Sequence, residues 1–302
     1  MKRRFHTLDV FTDTPLAGNP LAVVHDSAGL DTAAMQAIAQ EFNLSETVFV
    51  LPPDDPVNTA RLRIFTPGSE LPFAGHPTVG TGILLAMLRA PDKVGAAGLV
   101  VALEETIGVI KVEVTRPQGK AARGLFSIPK LPEFPALPAR DTALIAEALG
   151  LSLSDIGFEG HAPCNISAGA PYTAVPVASL EALDRAQSVP TPAFETAFGG
   201  TSHPCAYLYA RTGPNSWQTR MFAPLIGITE DPATGSAAAA FAGIIMALDK
   251  LSNGVHQHIL AQGIEMGRPS QIVLTLHVHG GVLEEVTIGG AAVIISEGTI
   301  DL

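Results

Sequence analysis

The sequence is poor in cysteine and in basic residues, and each shortage argues against a class of protein. Its 302 residues include two cysteines, Cys164 and Cys205, so a Cys-x-x-Cys metal pattern is absent. Without a secretion signal, two isolated cysteines indicate free thiols in a reducing, cytoplasmic setting. There are 18 Lys and Arg residues against 29 Asp and Glu, and the net charge is −11. We therefore expect no nucleic acid and no anionic membrane surface as a partner.

Long hydrophobic runs and nucleotide-binding motifs are also missing. The apolar runs end after about a dozen residues, whereas a membrane-spanning helix needs about 20. The glycine-rich segments match neither the phosphate-binding loop nor the dinucleotide fingerprint. Charged residues make up only 16% of the chain and apolar residues 47%, which indicates a folded protein with sizeable cores.

One stretch of the chain is present twice. Residues 63–88 and 220–248 both begin Arg-x-Phe and continue through Glu-x-Pro-x-x-Gly, with Gly75 and Gly235 in matching positions. His76 follows the first glycine and Ser236 the second, and an apolar run comes next. Since a helix that is apolar on all sides is a buried one, each copy predicts a strand, a loop and a buried helix.

The starts of these two helices predict two anion-binding sites. The first N–H groups of a helix have no partner within it, and the helix dipole is positive at that end. The peptide N–H groups at Gly75, His76, Gly235 and Ser236 are therefore suited to hold a carboxylate. The alternative is a duplicated hydrophobic hairpin without a chemical role.

Strands predominate in the rest of the chain, and the length suits two domains. Helices are predicted to start at Asp31, Asp141 and Ser179, each a good N-cap residue, and Asn43 is a plausible left-handed end for the first. Residues 282–288 and a segment within 289–300 are predicted as separate strands. Each half then resembles a curved sheet around its buried helix, an α+β arrangement.

Six motifs that follow one another along the chain resemble the PhzF-like phenazine-biosynthesis isomerase family. They are Asp9-Val10-Phe11, Gly18-Asn19-Pro20, Leu44-Ser45-Glu46-Thr47, residues 70–77, residues 230–236 and residues 267–270. The resemblance implies a diaminopimelate-epimerase-like fold of two pseudo-symmetric domains, each a mostly antiparallel sheet around a central helix. Residues 1–117 with about 289–302 would form the first domain and 118–288 the second, with the active site in the cleft between them.

The resemblance also implies roles for individual residues. Glu46 would be the catalytic carboxylate, and His76 and Asp231 would act beside it. Gly75, His76, Gly235 and Ser236 would bind the substrate, a small carboxylate. A homodimer is implied as well.

The residue types at the predicted site favour isomerisation over racemisation by two thiols. Related epimerases and racemases place a cysteine after each of the two glycines, where this chain has His76 and Ser236. A serine hydroxyl is a poor base, so a two-thiol racemase is disfavoured. A glutamate such as Glu46 can take up and return a proton if burial brings its pKa toward neutrality. We therefore expect an isomerase of a small cyclic amino-carboxylate, acting by intramolecular proton transfer without a metal or a cofactor.

Other interpretations remain open at this point. The chain could be an amino-acid epimerase or racemase, or a non-catalytic protein that binds small carboxylates. Glu46 could be an exposed residue at the start of a strand, His76 a helix residue bonded to the backbone, and Asp231 a helix cap. Two further histidine pairs with i, i+2 spacing, His256 with His258 and His277 with His279, are interpreted as solvated rather than metal-binding.

Overall fold

A computed structural model of the chain describes residues 2–95, 97–133 and 141–302. The chain divides into two compact units, one up to Ser127 together with Gly289–Leu302 and the other Ile128–Ile288. None of the helices in the described residues is long and apolar enough to cross a membrane.

The first unit is a mixed sheet with two α-helices. Its strands are β1 (Lys2–Val10), β2 (Asn19–Val24), β3 (Glu46–Leu51), β4 (Ala60–Phe65), β5 (Glu70–Leu71), β6 (Leu99–Glu105), β7 (Gly108–Thr115) and β8 (Arg123–Ser127), and its helices are α1 (Thr32–Phe42) and α2 (Gly75–Arg89). The sheet order is β1-β2-β3-β4-β6-β7-β8, with β5 beside β4. The unit extends past the boundary expected at residue 117 because β8 pairs with β7.

Helix α2 is the buried helix that the first copy of the repeat predicts. All residues from Gly75 to Ala86 are buried. The helix contacts β1, β2, β3, β6, β7 and β8 of its own unit. Helix α1 starts after the N-cap Asp31 and ends at Asn43, which is left-handed with φ 49°, as predicted.

The second unit has more helices, and its strands also pair in both parallel and antiparallel directions. Its helices are α3 (Thr142–Leu149), α4 (Leu180–Arg185), α5 (Pro192–Phe198) and α6 (Gly235–Leu248), and its strands are β9 (Cys164–Ser167), β10 (Pro171–Pro176), β11 (Ala206–Gly213), β12 (Ser216–Ala223), β13 (Ile228–Asp231), β14 (Gly254–Gln262) and β15 (Ser270–His279). The sheet order is β15-β14-β12-β11-β10-β9, with β13 beside β12. Helix α6 is the second predicted buried helix and contacts β9, β10 and β15. Helix α5, which starts after the N-cap Thr191, was not predicted.

Both copies of the repeat use an arginine to fix the loop before the buried helix. Arg63 donates to both carboxylate oxygens of Glu70 at 2.6 Å. Arg220 donates to both oxygens of Glu230 at 2.9 Å, and it also donates to the backbone carbonyl of Leu183 at 2.8 Å. The Arg and Glu of the repeated motif therefore have a structural role: their bidentate ion pair holds a short strand against its neighbour.

The end of the chain departs from the prediction of two strands. Residues Val282–Asp301 form one strand, β16, of 20 residues. Gly289 does not make a turn there. Instead, a side chain at Gly289 would lie 2.5 Å from the carbonyl oxygen of Gly124, so the glycine permits a close backbone approach. The part from Ala292 to Asp301 pairs antiparallel with β1, which places the C-terminus in the first unit.

Candidate active site

Glu46 and His76 lie side by side in the first unit. Glu46 is the first residue of β3, and His76 is the second residue of α2. Nε2 of His76 is 3.2 Å from Oε2 of Glu46, and their side chains are 6% and 16% exposed. The structure therefore brings these two predicted side chains into direct contact and excludes the interpretation of Glu46 as an exposed strand residue.

The imidazole of His76 is held in its neutral form. Burial lowers the pKa of His76 to about 3, and a hydrogen bond to the backbone carbonyl of Pro20 acts in the opposite direction. A neutral imidazole has a single N–H, but the carbonyl of Pro20 and the carboxyl group of Glu46 both face this ring. When the N–H goes to Pro20, a hydrogen bond between His76 and Glu46 needs a proton on the carboxyl group.

The segment that presents Pro20 to His76 depends on Gly18. Gly18 has φ 68°, and a side chain there would meet the carbonyl oxygen of Val10 at 2.4 Å and Cγ2 of Thr12 at 2.5 Å. Only glycine fits this position. Pro20 follows at the start of β2, whose Leu21 is the parallel partner of Glu46. The turn at Gly18 therefore sets the backbone next to both Glu46 and His76.

The two buried helices differ from the other four α-helices of the described residues at their N-termini. The caps of α1, α3, α4 and α5 each accept a hydrogen bond from a backbone N–H through a side chain. The caps of α2 and α6, Ala74 and Thr234, make no such bond. Their first N–H groups are thus left without a side-chain cap, which is the condition that favours an anion.

Asp231 of the second unit belongs to a polar network at the start of α6. It accepts a hydrogen bond from the hydroxyl of Thr234 at 2.6 Å, which explains why that hydroxyl does not cap the helix. Gln262 donates to the backbone carbonyl of Asp231 at 2.8 Å and accepts from the backbone N–H of Thr234 at 3.1 Å. The structure therefore places the Asp231 carboxylate next to Thr234, which is the N-cap residue of α6.

Ser236 contacts Tyr172, a residue that sequence reasoning missed. The two hydroxyl oxygens are 2.6 Å apart. Burial raises the pKa of Tyr172 above its usual value, so the phenol keeps its proton. The ring of His203 lies 5.0 Å from that of Tyr172 in an edge-on arrangement. The sequence shows only a loop and a strand at this point, so no local signal connects Tyr172 with Ser236.

Comparison with known proteins identifies the family. Residues 8–298 match the PhzC-PhzF family, described as phenazine biosynthesis-like protein. The chain belongs to this family. An uncharacterized isomerase of Mesorhizobium japonicum is 50% identical, and the match covers 99% of this chain and 98% of the relative. A trans-2,3-dihydro-3-hydroxyanthranilate isomerase of Pseudomonas chlororaphis is 36% identical, with 98% of each chain covered. The protein is thus an isomerase of the PhzF type.

Solved structures agree with this assignment. A predicted epimerase from Pseudomonas aeruginosa has a TM-score of 0.78 and 34% identity, with 99% of each chain covered. A hydroxyproline epimerase from Agrobacterium vitis has a TM-score of 0.66 at 13% identity, and the match covers 99% of this chain and 92% of the epimerase chain. The second likeness concerns the fold alone. It shows that this PhzF-type isomerase shares the epimerase-like fold.

The thiols of this PhzF-type isomerase are unsuited to act as bases. Burial raises the pKa of Cys164 to about 11 and that of Cys205 to about 12. Both residues lie in strands or loops of the second unit and neither follows the glycine of a repeat. This agrees with the residue-type argument against a two-thiol racemase.

The histidine pairs are only partly as predicted. His258 is buried rather than solvated, and it accepts a hydrogen bond from Nε1 of Trp217 at 3.3 Å. The other three histidines are partly or fully exposed. Within the described residues, no group of three His, Cys, Asp or Glu side chains is placed to hold a metal ion.

Proposed function

We propose that this isomerase moves a proton between two carbon atoms of a small cyclic amino-carboxylate, with Glu46 as the proton carrier. The contact of Glu46 with the buried, neutral ring of His76 at 3.2 Å is the observation that carries the proposal. The relative from Pseudomonas chlororaphis, whose name specifies trans-2,3-dihydro-3-hydroxyanthranilate, supports this substrate class. That compound is a cyclic amino-carboxylate with a conjugated system.

The proposed reaction balances without an oxidant or a reductant. The carboxylate of Glu46 takes a proton from one carbon, and the electron pair of the broken C–H bond shifts through the conjugated system. The protonated Glu46 then returns the proton to another carbon of the same molecule, so that a double bond changes place. His76 orients the carboxyl group through the neutral ring and can accept its hydrogen bond while the proton resides on Glu46.

Substrate binding is proposed to use the two helix N-termini without side-chain caps. The peptide N–H groups of Gly75 and His76 would hold the carboxylate of the substrate. Gly235, Ser236 and Asp231 are proposed to bind its other polar groups, as the family resemblance implies. The pseudo-symmetry of the two halves and the homodimer are also parts of this proposal, and sedimentation at micromolar concentration tests the dimer.

Epimerisation is the second candidate, because the fold is shared with a hydroxyproline epimerase. An epimerase returns the proton to the carbon from which it came, on the opposite face. The position of the returned proton therefore separates the two reactions.

The proposal is tested by NMR in D2O with trans-2,3-dihydro-3-hydroxyanthranilate as the trial substrate. We expect a product with a shifted double bond, in which part of the population retains the hydrogen of the substrate at the new carbon. Retention indicates a carrier that is shielded from solvent. Inversion at a single carbon, without a shifted double bond, would establish the epimerase instead. Failure of this and other cyclic amino-carboxylates to react would contradict the proposal.

A further inference from the structure

Glu105 is a buried carboxyl group next to the first turn of α2. It is the last residue of β6 and is 8% exposed. Its Oε1 lies 2.7 Å from the hydroxyl oxygen of Thr78 in α2. That hydroxyl also lies 2.8 Å from the carbonyl oxygen of Ala74, which in addition accepts from the backbone N–H of Thr78 at 3.2 Å. Since Ala74 directly precedes Gly75 and His76, Thr78 connects Glu105 with the start of the helix.

Counting protons decides the ionisation state that fits this contact. The hydroxyl of Thr78 has one proton but two short contacts, to the carbonyl of Ala74 and to Glu105. A carbonyl can only accept, and an ionised carboxylate can only accept as well. With Glu105 protonated, its O–H donates to Thr78 and Thr78 donates to Ala74, so both contacts are hydrogen bonds. The protonated acid therefore allows both hydrogen bonds, from Glu105 to Thr78 and from Thr78 to Ala74. The ionised form leaves one of the two contacts without a proton.

The surroundings of Glu105 also favour the neutral acid. Its Oε2 is buried, and no hydrogen-bond partner for it occurs among the described residues. Burial raises the pKa of Glu105 to about 8. The ionisation of Glu105 thus falls on the alkaline side of neutrality.

Among the described residues, no neighbouring charge contributes to the pKa shift of Glu105. Glu104, the preceding residue, binds the side chain of Asn58 at 2.8 Å. Lys111 and Glu113 of β7 have exposed side chains. His76, in the first turn of α2, is neutral because of its burial.

We propose that Glu105 is a positioning residue: as a neutral acid it holds the first turn of α2 through Thr78, and its ionisation weakens the binding of a carboxylate at that turn. The inference rests on the proposed function, since it takes the start of α2 as the place where the substrate carboxylate binds. Two effects act together when Glu105 ionises. Its carboxylate competes with Ala74 for the proton of Thr78, and its negative charge at the first turn of α2 opposes the binding of a second anion there.

The first test needs no ligand. In protein with 13C-labelled Glu and His, we expect the carboxyl signal of Glu105 to titrate on the alkaline side of pH 7. The ring signals of His76 should shift with the same midpoint. Glu105→Gln should abolish this shift of His76, because the amide donates to Thr78 at every pH. Glu104→Gln, the matched control on the neighbouring residue, should retain it.

A second variant tests whether the hydrogen bonds of Thr78 connect Glu105 with the start of α2. Thr78→Val removes the hydroxyl and should uncouple the His76 signals from the titration of Glu105. This variant decides the question if Glu105→Gln does not fold. A shift of His76 that persists in Glu105→Gln or in Thr78→Val would overturn the inference.

The second test uses anthranilate as a carboxylate probe in calorimetry. In the wild type, affinity should fall by up to about tenfold per pH unit above the midpoint of Glu105. In Glu105→Gln the affinity should stay constant over this range, and the same loss in both proteins would contradict the role of Glu105. If the wild type fails to bind anthranilate at pH 7, the proposed carboxylate site is wrong. The coupling between Glu105 and His76 is then still decided by the NMR titration.

Discussion

The Nε2 atom of His76 lies 3.2 Å from the Oε2 atom of Glu46, and the pair is shielded from solvent. The two residues come from different elements, the start of β3 and the start of α2. A buried imidazole that stays neutral can exchange a hydrogen bond with a carboxyl group without forming a permanent ion pair. The proposed role of Glu46 as the proton carrier is built on this contact.

Glu46→Gln should abolish isomerisation and leave ligand binding nearly intact. The amide keeps the shape of the side chain but cannot take up the proton. Loss of a general base typically costs about 100- to 10,000-fold in rate, and a sole carrier should reach the upper end. Turnover of trans-2,3-dihydro-3-hydroxyanthranilate and calorimetry with anthranilate measure the two effects. Glu41→Gln, on the exposed end of α1, is the control. Turnover within about tenfold of the wild type would remove Glu46 from the mechanism.

His76 should remain neutral throughout the pH range of activity. Because burial lowers its pKa to about 3, no part of the rate profile between pH 5 and pH 8 is expected to follow the protonation of this ring. Titration of the ring signals of His76 by NMR provides the measurement. A His76 midpoint near its ordinary value of about 6.5 would show that the ring is charged in the acid range and would exclude the proton arrangement proposed for the pair.

His25 should make the protein less stable in acid. Its Nε2 lies 2.8 Å from Nδ1 of His6, and burial, together with His6, lowers the pKa of His25 to about 4. The unfolded chain then binds a proton below pH 6.5 that the folded chain rejects, so stability falls as pH drops from about 6.5 to about 4. His25→Asn should flatten this part of the stability curve measured by urea unfolding. The exposed His279→Asn should leave the curve as it is, and equal slopes for both variants would contradict the assignment.

Tyr172→Phe should weaken substrate binding more than it slows the chemical step. The change removes the hydroxyl that contacts Ser236 at 2.6 Å and keeps the ring. Loss of one hydrogen bond is worth about 1 kcal/mol, which corresponds to an increase in KM of about fivefold. Steady-state kinetics give KM and kcat separately. Tyr209→Phe, whose hydroxyl contacts His161 instead, is the matched control. A large fall in kcat with unchanged KM would assign Tyr172 to the chemistry.

Gly18→Ala should destabilise the protein much more than Gly119→Ala. Both glycines have positive φ, 68° and 71°, so an alanine is strained at either position by about 1 kcal/mol. At Gly119 an added Cβ meets no atom within 4 Å, whereas at Gly18 it meets Val10 and Thr12. We expect about 2 kcal/mol or more of additional loss for Gly18→Ala, measured by urea unfolding. Similar losses for the two variants would show that backbone strain, and not the close approach, requires Gly18.

Local signals predicted those parts of the fold that depend on neighbours in sequence. The N-caps Asp31, Asp141 and Ser179 were correct because a side chain that accepts from a backbone N–H two or three residues later acts locally. The break expected before residue 289 was wrong, because at Gly289 a close contact with Gly124 takes the place of a turn. Such a contact joins distant parts of the chain and leaves no local pattern.

The sequence by itself determined the duplicated Arg-x-Phe and Glu-x-Pro-x-x-Gly stretches, the buried helices that start at Gly75 and Gly235, and the family to which the chain belongs. Periodicity, caps and motifs carry this information because they act over a few residues. Only the tertiary structure decided that His76 is neutral beside Glu46, and that Glu105 is a buried acid bonded to Thr78. Protonation states depend on desolvation and on contacts between residues far apart in the chain. These quantities arise only when the strands and helices have packed.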